Sequence, residues 1–225
     1  MVRPMFERPG LVIFDCDGVL VDTEKVANEL LVRMLADVGH VVTYEESRKR
    51  FVGRMMEDIQ CEVERALGRS LGEDWSTFVK DETVKVLQSG VEPIEGVGAQ
   101  IERLREIGFP YCVASSGRLV KMRASLGSAG LLPLLEDVLF SAQMVGRGKP
   151  APDLFLHAAE AMGHVPQNCV VIEDSVPGVQ AGIAAGMRVL GYVGDPHTDG
   201  AALAGEGAHV FSDMRELGVL LGLGR

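Results

Sequence analysis

The stretch Leu11-Val-Ile-Phe-Asp-Cys-Asp-Gly-Val-Leu-Val-Asp-Thr-Glu24 decides how the rest of the chain is read. Pro9 and Gly10 precede a short apolar run, Leu11 to Phe14, which fits a strand buried on both faces of a parallel sheet. Such a strand delivers its last residues to the crevice beyond the carboxyl edge of the sheet, so Asp15 and Asp17 belong at the mouth of a site. Gly18 permits a tight turn there. Two acids separated by one residue cannot both ionise cheaply in a confined place, which suits a division of labour between a nucleophile or metal ligand and a proton carrier. Read alone, the motif is either that catalytic pair or a solvated Asp-x-Asp-Gly turn. A helix-loop-helix calcium site is excluded, because its loop needs a further acid before the glycine and a Glu at its end.

The chain has 225 residues, 47% of them hydrophobic and 24% charged, a globular profile with room for one domain plus an insertion. A formal charge of -10 argues against a nucleic-acid or anionic-membrane surface. It leaves an anionic small molecule open, since a metal ion and a few cations can dominate one pocket. Cys16, Cys61, Cys112 and Cys169 are far apart, without zinc spacing, and read as reduced thiols. No apolar signal core precedes Gly10 and no run reaches membrane-spanning length, so the expectation is a cytoplasmic protein.

From Thr23 to Asp37 the apolar residues recur with helical period, and Gly39 is placed to end the helix. Tyr44 to Phe51, Met55 to Leu67 and Glu73 to Gln88 continue in the same vein, richer in charge and separated by Gly53, Gly68 and Gly72. Residues 23–89 therefore read as a small helical domain inserted into a core made of 1–22 and 90–225. After Pro93 to Gly96 strands and helices alternate: a helix over Val97 to Ile107, a strand over Tyr111 to Ala114 and a helix over Leu119 to Ala129. A strand over Val138 to Phe140 and a helix over Asp153 to Met162 follow, then a strand over Cys169 to Ile172. A helix over Val176 to Ala185 and a strand over Arg188 to Tyr192 precede a tail with a helix, a strand around His209 to Phe211 and a last helix. Repeated units of this kind imply a parallel sheet flanked by helices.

Three more polar clusters lie at the same expected sheet edge: Ser115-Ser116-Gly117, Gly148-Lys149-Pro150 and Glu173-Asp174-Ser175. Each by itself is an ordinary turn, loop or helix start. In this order, after Asp15 and Asp17, they resemble the motifs of the haloacid dehalogenase superfamily, specifically its helical-cap phosphatases and phosphomutases. The resemblance runs from Leu11 to about Pro196 and implies a Rossmann-like core, an inserted cap and Mg²⁺. It implies that Asp15 attacks phosphorus and that Asp17 protonates the leaving oxygen, then activates water. It further implies that Asp15, Asp17, Glu173 and Asp174 hold the metal, Asp17 through its carbonyl. Ser115, Ser116, Gly117 and the amides of Gly18 or Val19 would hold the phosphoryl oxygens, and Lys149 would balance the carboxylates. In the cap, Arg54 falls where relatives carry an arginine that reaches the substrate's distal anion; an exposed helix arginine is the other open reading. Glu24 and Asn28 are near enough to line the cap entrance.

Gly96-Val-Gly98 lacks the third glycine and preceding strand of a dinucleotide fingerprint, and the five histidines show no metal spacing. Ala27 stands where β-phosphoglucomutase has an assisting histidine, which favours hydrolysis over a mutase cycle. The expected activity is Mg²⁺-dependent hydrolysis of small phosphorylated metabolites, with sugar and sugar-acid phosphates such as 6-phosphogluconate most resembled. A β-phosphoglucomutase-like mutase, a phosphoglycolate phosphatase and a non-catalytic binding module are the alternatives. Monomer and homodimer both stay open. The two chain crossings, Gly18 to Asp22 and Ser89 to Glu92, are the expected hinges of cap motion.

Overall fold

The computed structural model describes residues 8–51 and 54–223. Strands β1 (Leu11–Phe14), β2 (Tyr111–Ser115), β3 (Leu139–Ser141), β4 (Cys169–Glu173), β5 (Arg188–Tyr192) and β6 (His209–Phe211) form one sheet in the order β3-β2-β1-β4-β5-β6. Every pairing is parallel. The chain steps outward from β1 to β2 and β3, then returns to the other side of β1 with β4. The reversal falls between β1 and β4, where Leu11 pairs with Cys169 and Phe14 with Ile172. A crevice opens at the carboxyl ends of the strands at such a switch point, and both Asp15 and Glu173 are delivered to it.

Helices α5 (Val97–Glu106), α6 (Leu119–Ser128), α7 (Leu132–Leu135), α8 (Asp153–Ala161), α9 (Val176–Ala184), α10 (Gly200–Gly205) and α11 (Leu217–Leu220) flank the sheet. Val12 and Phe14 of β1 pack on one side with Ile101 and Leu104 of α5 and Met122 of α6. Leu11 and Ile13 pack on the other with Leu154 and Phe155 of α8 and Val179 of α9. All four strand residues are fully buried, which is why β1 reads as an unbroken apolar run rather than an alternating one.

Between β1 and β2 stand α1 (Thr23–Asp37), α2 (Tyr44–Phe51), α3 (Met56–Leu67) and α4 (Trp75–Ser89). They enclose a separate cluster that includes Leu31, Leu35, Phe51, Ile59, Val63 and Trp75. The end of α4 departs from that cluster. Leu87 is fully buried among the sheet-side residues, and Ser128 Oγ of α6 donates to its carbonyl at 2.7 Å. The two chain crossings are laced together as well: Asp22 N–H donates to the Glu92 carbonyl and Ile94 N–H to the Leu20 carbonyl, each at 3.0 Å.

The expected elements are present with shifts of a residue or two at their ends. Met55 precedes α3 instead of opening it, and Glu73 and Asp74 form a turn ahead of α4. Val138 closes a short 3₁₀ turn, so β3 begins one residue later than expected. The single turn α7 was not anticipated, because four residues are too few to display a helical period. No helix among the described residues is long and apolar enough to cross a membrane.

Candidate active site

Asp15 follows β1 and is pinned there by its N–H, which donates to the Ile172 carbonyl of β4 at 2.9 Å. Lys149, in the loop before α8, places Nζ 2.5 Å from Asp15 Oδ1 and 2.7 Å from Glu173 Oε1. Its side chain is only 5% exposed, and its ammonium lies 4.8 Å from the centre of the Phe155 ring. One cation thus bridges two carboxylates in a place that water hardly reaches.

The other oxygen of Glu173, Oε2, accepts from the N–H and hydroxyl of Ser175 at 2.7 and 2.9 Å. Gly178 of α9 makes this approach possible, since a Cβ there would fall 1.7 Å from Glu173 Oε1. Gly18 has the same function beside Asp174. Its φ of +80° suits glycine, and a Cβ would fall 1.9 Å from Asp174 Oδ2.

Burial and the neighbouring Glu173 and Asp17 charges outweigh Lys149 and push Asp15 up to about 7. Burial, then the charges of Glu173 and Asp15, raise Asp174 well above the usual carboxylate range. Burial opposes the charge on Lys149, but Asp15 and Glu173 overcome it and hold the ammonium above its ordinary value. Asp17 differs from Asp15. Burial works to raise it, yet Lys121 and the hydrogen bonds from Lys121 and Thr23 bring it below the ordinary value. Lys121 Nζ donates to Asp17 Oδ2 at 2.7 Å and Thr23 Oγ1 to Asp17 Oδ1 at 2.5 Å. The two acids of the motif therefore sit in contrasting environments, Asp15 raised by burial and Asp17 lowered by Lys121 and its hydrogen bonds.

The metal site that the resemblance implies takes the side chains of Asp15, Glu173 and Asp174 with the Asp17 carbonyl. Among the described residues no three His, Cys, Asp or Glu side chains are arranged to hold a metal ion. Both oxygens of Glu173 are engaged by Lys149 and Ser175, and both of Asp17 by Lys121 and Thr23. Asp15 and Asp174 are left as the side chains able to meet a cation. Their mutual repulsion in a buried setting suits a hard divalent ion with oxygen ligands and water completing its shell.

Ser115 is buried at the end of β2, and its Oγ accepts from Gly117 N–H at 3.0 Å, which shapes the Ser115-Ser116-Gly117 turn. Ser141 of β3 braces that turn by donating to the Gly117 carbonyl at 2.7 Å. Ser116 is exposed beside it. The Val19 side chain is fully buried in the core, so only its backbone can serve a ligand. Arg54 donates to Glu62 at 2.6 Å and to the Arg50 carbonyl, both within the helical insertion. Asn28 is a joint between α1 and α2: its amide donates to the Tyr44 carbonyl and its Oδ1 accepts from Ser47. That internal bonding corrects its expected place at the cap entrance. Glu24 does line a cleft of about 550 Å³ that also includes Gly18, Asp174, Tyr192, Asp195 and Arg215.

Sequence reasoning missed Lys121 and Arg48. Arg48 of α2 reaches Asp195 of the loop after β5 at 2.6 Å and Glu24 at 3.4 Å, with 12% of its side chain exposed. Within the run Arg48-Lys49-Arg50 nothing distinguishes it from a solvated neighbour. Lys121 stands six residues after Ser115, an ordinary lysine in a helix until the fold brings it to Asp17.

A strand-end aspartate, a lysine bridging it to a second acid and a braced Ser-Ser-Gly turn lie together at the carboxyl edge of the sheet. The sequence profile of haloacid dehalogenase-like hydrolases matches residues 9–186. The chain belongs to that family and is an enzyme of phosphatase type. It is 40% identical to 6-phosphogluconate phosphatase of Escherichia coli over 187 residues, 83% of either chain. It is 32% identical to hexitol phosphatase A of the same organism, over 79% of this chain and 80% of the relative. A crystal structure of a haloacid dehalogenase family hydrolase from Deinococcus radiodurans with bound phosphate and sodium superposes with a TM-score of 0.81 at 33% identity, covering 96% of this chain and 98% of the other.

Proposed function

We propose that the enzyme hydrolyses monophosphates of small sugars or sugar acids, 6-phosphogluconate among them, with Mg²⁺ and through a phosphoryl group carried on Asp15. The observation that carries this reading is the placement of Asp15 at the β1–β4 switch point, held by Lys149 against Glu173. A carboxylate oxygen of Asp15 attacks phosphorus, the ester bond breaks, and the leaving alkoxide takes its proton from Asp17. Water, giving its proton back to Asp17, then attacks the phosphoryl group and frees Asp15. Ser115, the amide of Ser116 and the backbone at Gly18 and Val19 hold phosphoryl oxygens, and Lys149 offsets charge that develops on them. Asp15, Asp174 and the Asp17 carbonyl would hold Mg²⁺, which when bound supplies Lewis-acid polarisation of the phosphoryl oxygens.

Two further features support the substrate class. The cleft beside Asp174 carries several acidic side chains, Glu24, Asp195 and Asp213 among them, which can accept hydrogen bonds from the hydroxyls of a sugar. The curated relatives at 40% and 32% identity carry the names of a sugar-acid phosphatase and a hexitol phosphatase. Helices α1 to α4 are proposed as the cap that selects among substrates, with residues 23–89 as its extent.

The test is phosphate release across a panel of sugar, sugar-acid and short-acid phosphates with Mg²⁺ or a chelator, comparing the wild type with Asp15→Asn. Release confined to the wild type with Mg²⁺ is expected. Absence of release from every compound by folded enzyme refutes the reading, and isomerisation of a sugar phosphate faster than its hydrolysis would replace it with a mutase.

A further inference from the structure

The two acids of the Asp15-Cys-Asp17 motif are held by two different lysines. Lys149 takes Asp15, whereas Lys121, on the first turn of α6, donates to Asp17 Oδ2 at 2.7 Å. Among the described residues, the other oxygen of Asp17 accepts from the Thr23 hydroxyl, at 2.5 Å. The surroundings are tight enough to define the pair. A Cβ on Gly117 would lie 3.3 Å from Ser115 Oγ, 3.6 Å from Lys121 Cδ and 3.8 Å from Asp17 Oδ2. The turn that carries the phosphate-facing Ser115 is thus folded around the Lys121–Asp17 contact, and both side chains are about one-quarter exposed, at 27% and 26%.

We propose that Lys121 is a positioning residue for the leaving-group step, holding the plane of the Asp17 carboxylate. The inference rests on the reading of Asp17 as the acid–base group. An aspartate side chain turns about two bonds, and one hydroxyl contact fixes only one of its oxygens. The ammonium of Lys121 fixes the other from the core, so Asp17 keeps its direction while α1, which supplies Thr23, belongs to the helical insertion. Proton transfer is sensitive to such alignment. In the step concerned, Asp15 forms its bond to phosphorus, the ester P–O bond breaks, its electron pair stays on the ester oxygen, and Asp17 delivers the proton to that oxygen. A lysine that instead touched the phosphoryl group, or merely supported α6, would serve every phosphate ester alike.

The leaving group separates these roles. An alkoxide needs the proton, whereas p-nitrophenolate departs without it. The experiment measures kcat/KM, which covers the steps up to departure of the leaving group, for wild type, Lys121→Met and Lys121→Arg on p-nitrophenyl phosphate and on the best alkyl phosphate of the panel. Lys121→Met is expected to lose about 10²-fold on the alkyl ester and less than about 3-fold on the aryl ester, mostly in kcat. Lys121→Arg, which keeps a cationic donor, is expected to recover most of the alkyl activity. Equal losses on both esters, or no loss on either, overturn the proposal. If Lys121→Met lacks a cooperative melt, Lys121→Ala, which also removes the donor and suits an early helix position, carries the same comparison. Wild-type enzyme without activity on either ester would instead defeat the reading of the site itself.

Discussion

Replacing Lys149 by Met leaves Asp15 and Glu173 facing one another with no cation between them. In the folded enzyme Nζ is 2.5 Å from one carboxylate and 2.7 Å from the other, with 5% of the lysine side chain exposed. Removing one partner of a buried ion pair costs about 3–5 kcal/mol, because the remaining charge is stranded. Methionine fills nearly the same volume and keeps contact with Phe155, so a cavity adds little. The cost depends on pH in a definite direction. Asp15 stands at about 7 with Lys149 present, against 3.8 when unperturbed, and loss of the cation moves it higher. An acid whose folded pKa exceeds its unfolded one binds its proton more tightly when folded. Its penalty is therefore absent below the unfolded value and grows as pH rises toward the folded one, by about 1.4 kcal/mol per pH unit. Urea unfolding in chelator should show a deficit of about 3–5 kcal/mol for Lys149→Met at pH 8, shrinking to less than about half of that at pH 5. A deficit under about 1 kcal/mol, or one that is the same at both pH values, would refute the account of Lys149 as the counter-charge of Asp15.

Gly178→Ala should destabilise the enzyme by about 1–3 kcal/mol and lower turnover, because the added methyl displaces Glu173. The sign is diagnostic in thermal melts, since alanine in place of a helical glycine ordinarily stabilises by about 0.5–1 kcal/mol. Mg²⁺ should raise the melting temperature more at pH 8 than at pH 5.5, because Asp15 and Asp174, both raised by burial, must be deprotonated to bind it. An equal shift at both pH values would show that the ion binds elsewhere.

Much of the site was legible from local pattern. Leu11 to Phe14 followed by Asp15 and Asp17 needs only the rule that an apolar run before acids is a buried strand ending in a crevice, and Asp15 sits there. Glu173 followed by Ser175 and Gly178 carries its own constraint, as the serine bonds the glutamate and the glycine makes room for it. Arg54 was singled out because the family resemblance implies a cap arginine there, and it is joined to Glu62. Arg48, six residues earlier, is the cation that meets Asp195 across the cleft. Side-chain direction on a short helix depends on how that helix lies against its neighbours, and no spacing within Tyr44 to Phe51 records it. The ion pairs within the acidic cluster are hidden from the sequence for a related reason. Four carboxylates can be counted in a sequence, but whether a lysine already occupies their oxygens is a matter of contact.

The sequence alone determined the order of strands and helices, the inserted helical block and the acids that end the strands, because burial on two faces and glycine turns leave marks within a few neighbouring residues. Only the tertiary structure decided which cation serves which acid. Lys149 on Asp15 and Lys121 on Asp17 join residues more than a hundred positions apart in the chain. Such pairing follows from sheet order and from the packing of α6 and α8 on opposite faces, which no local pattern encodes.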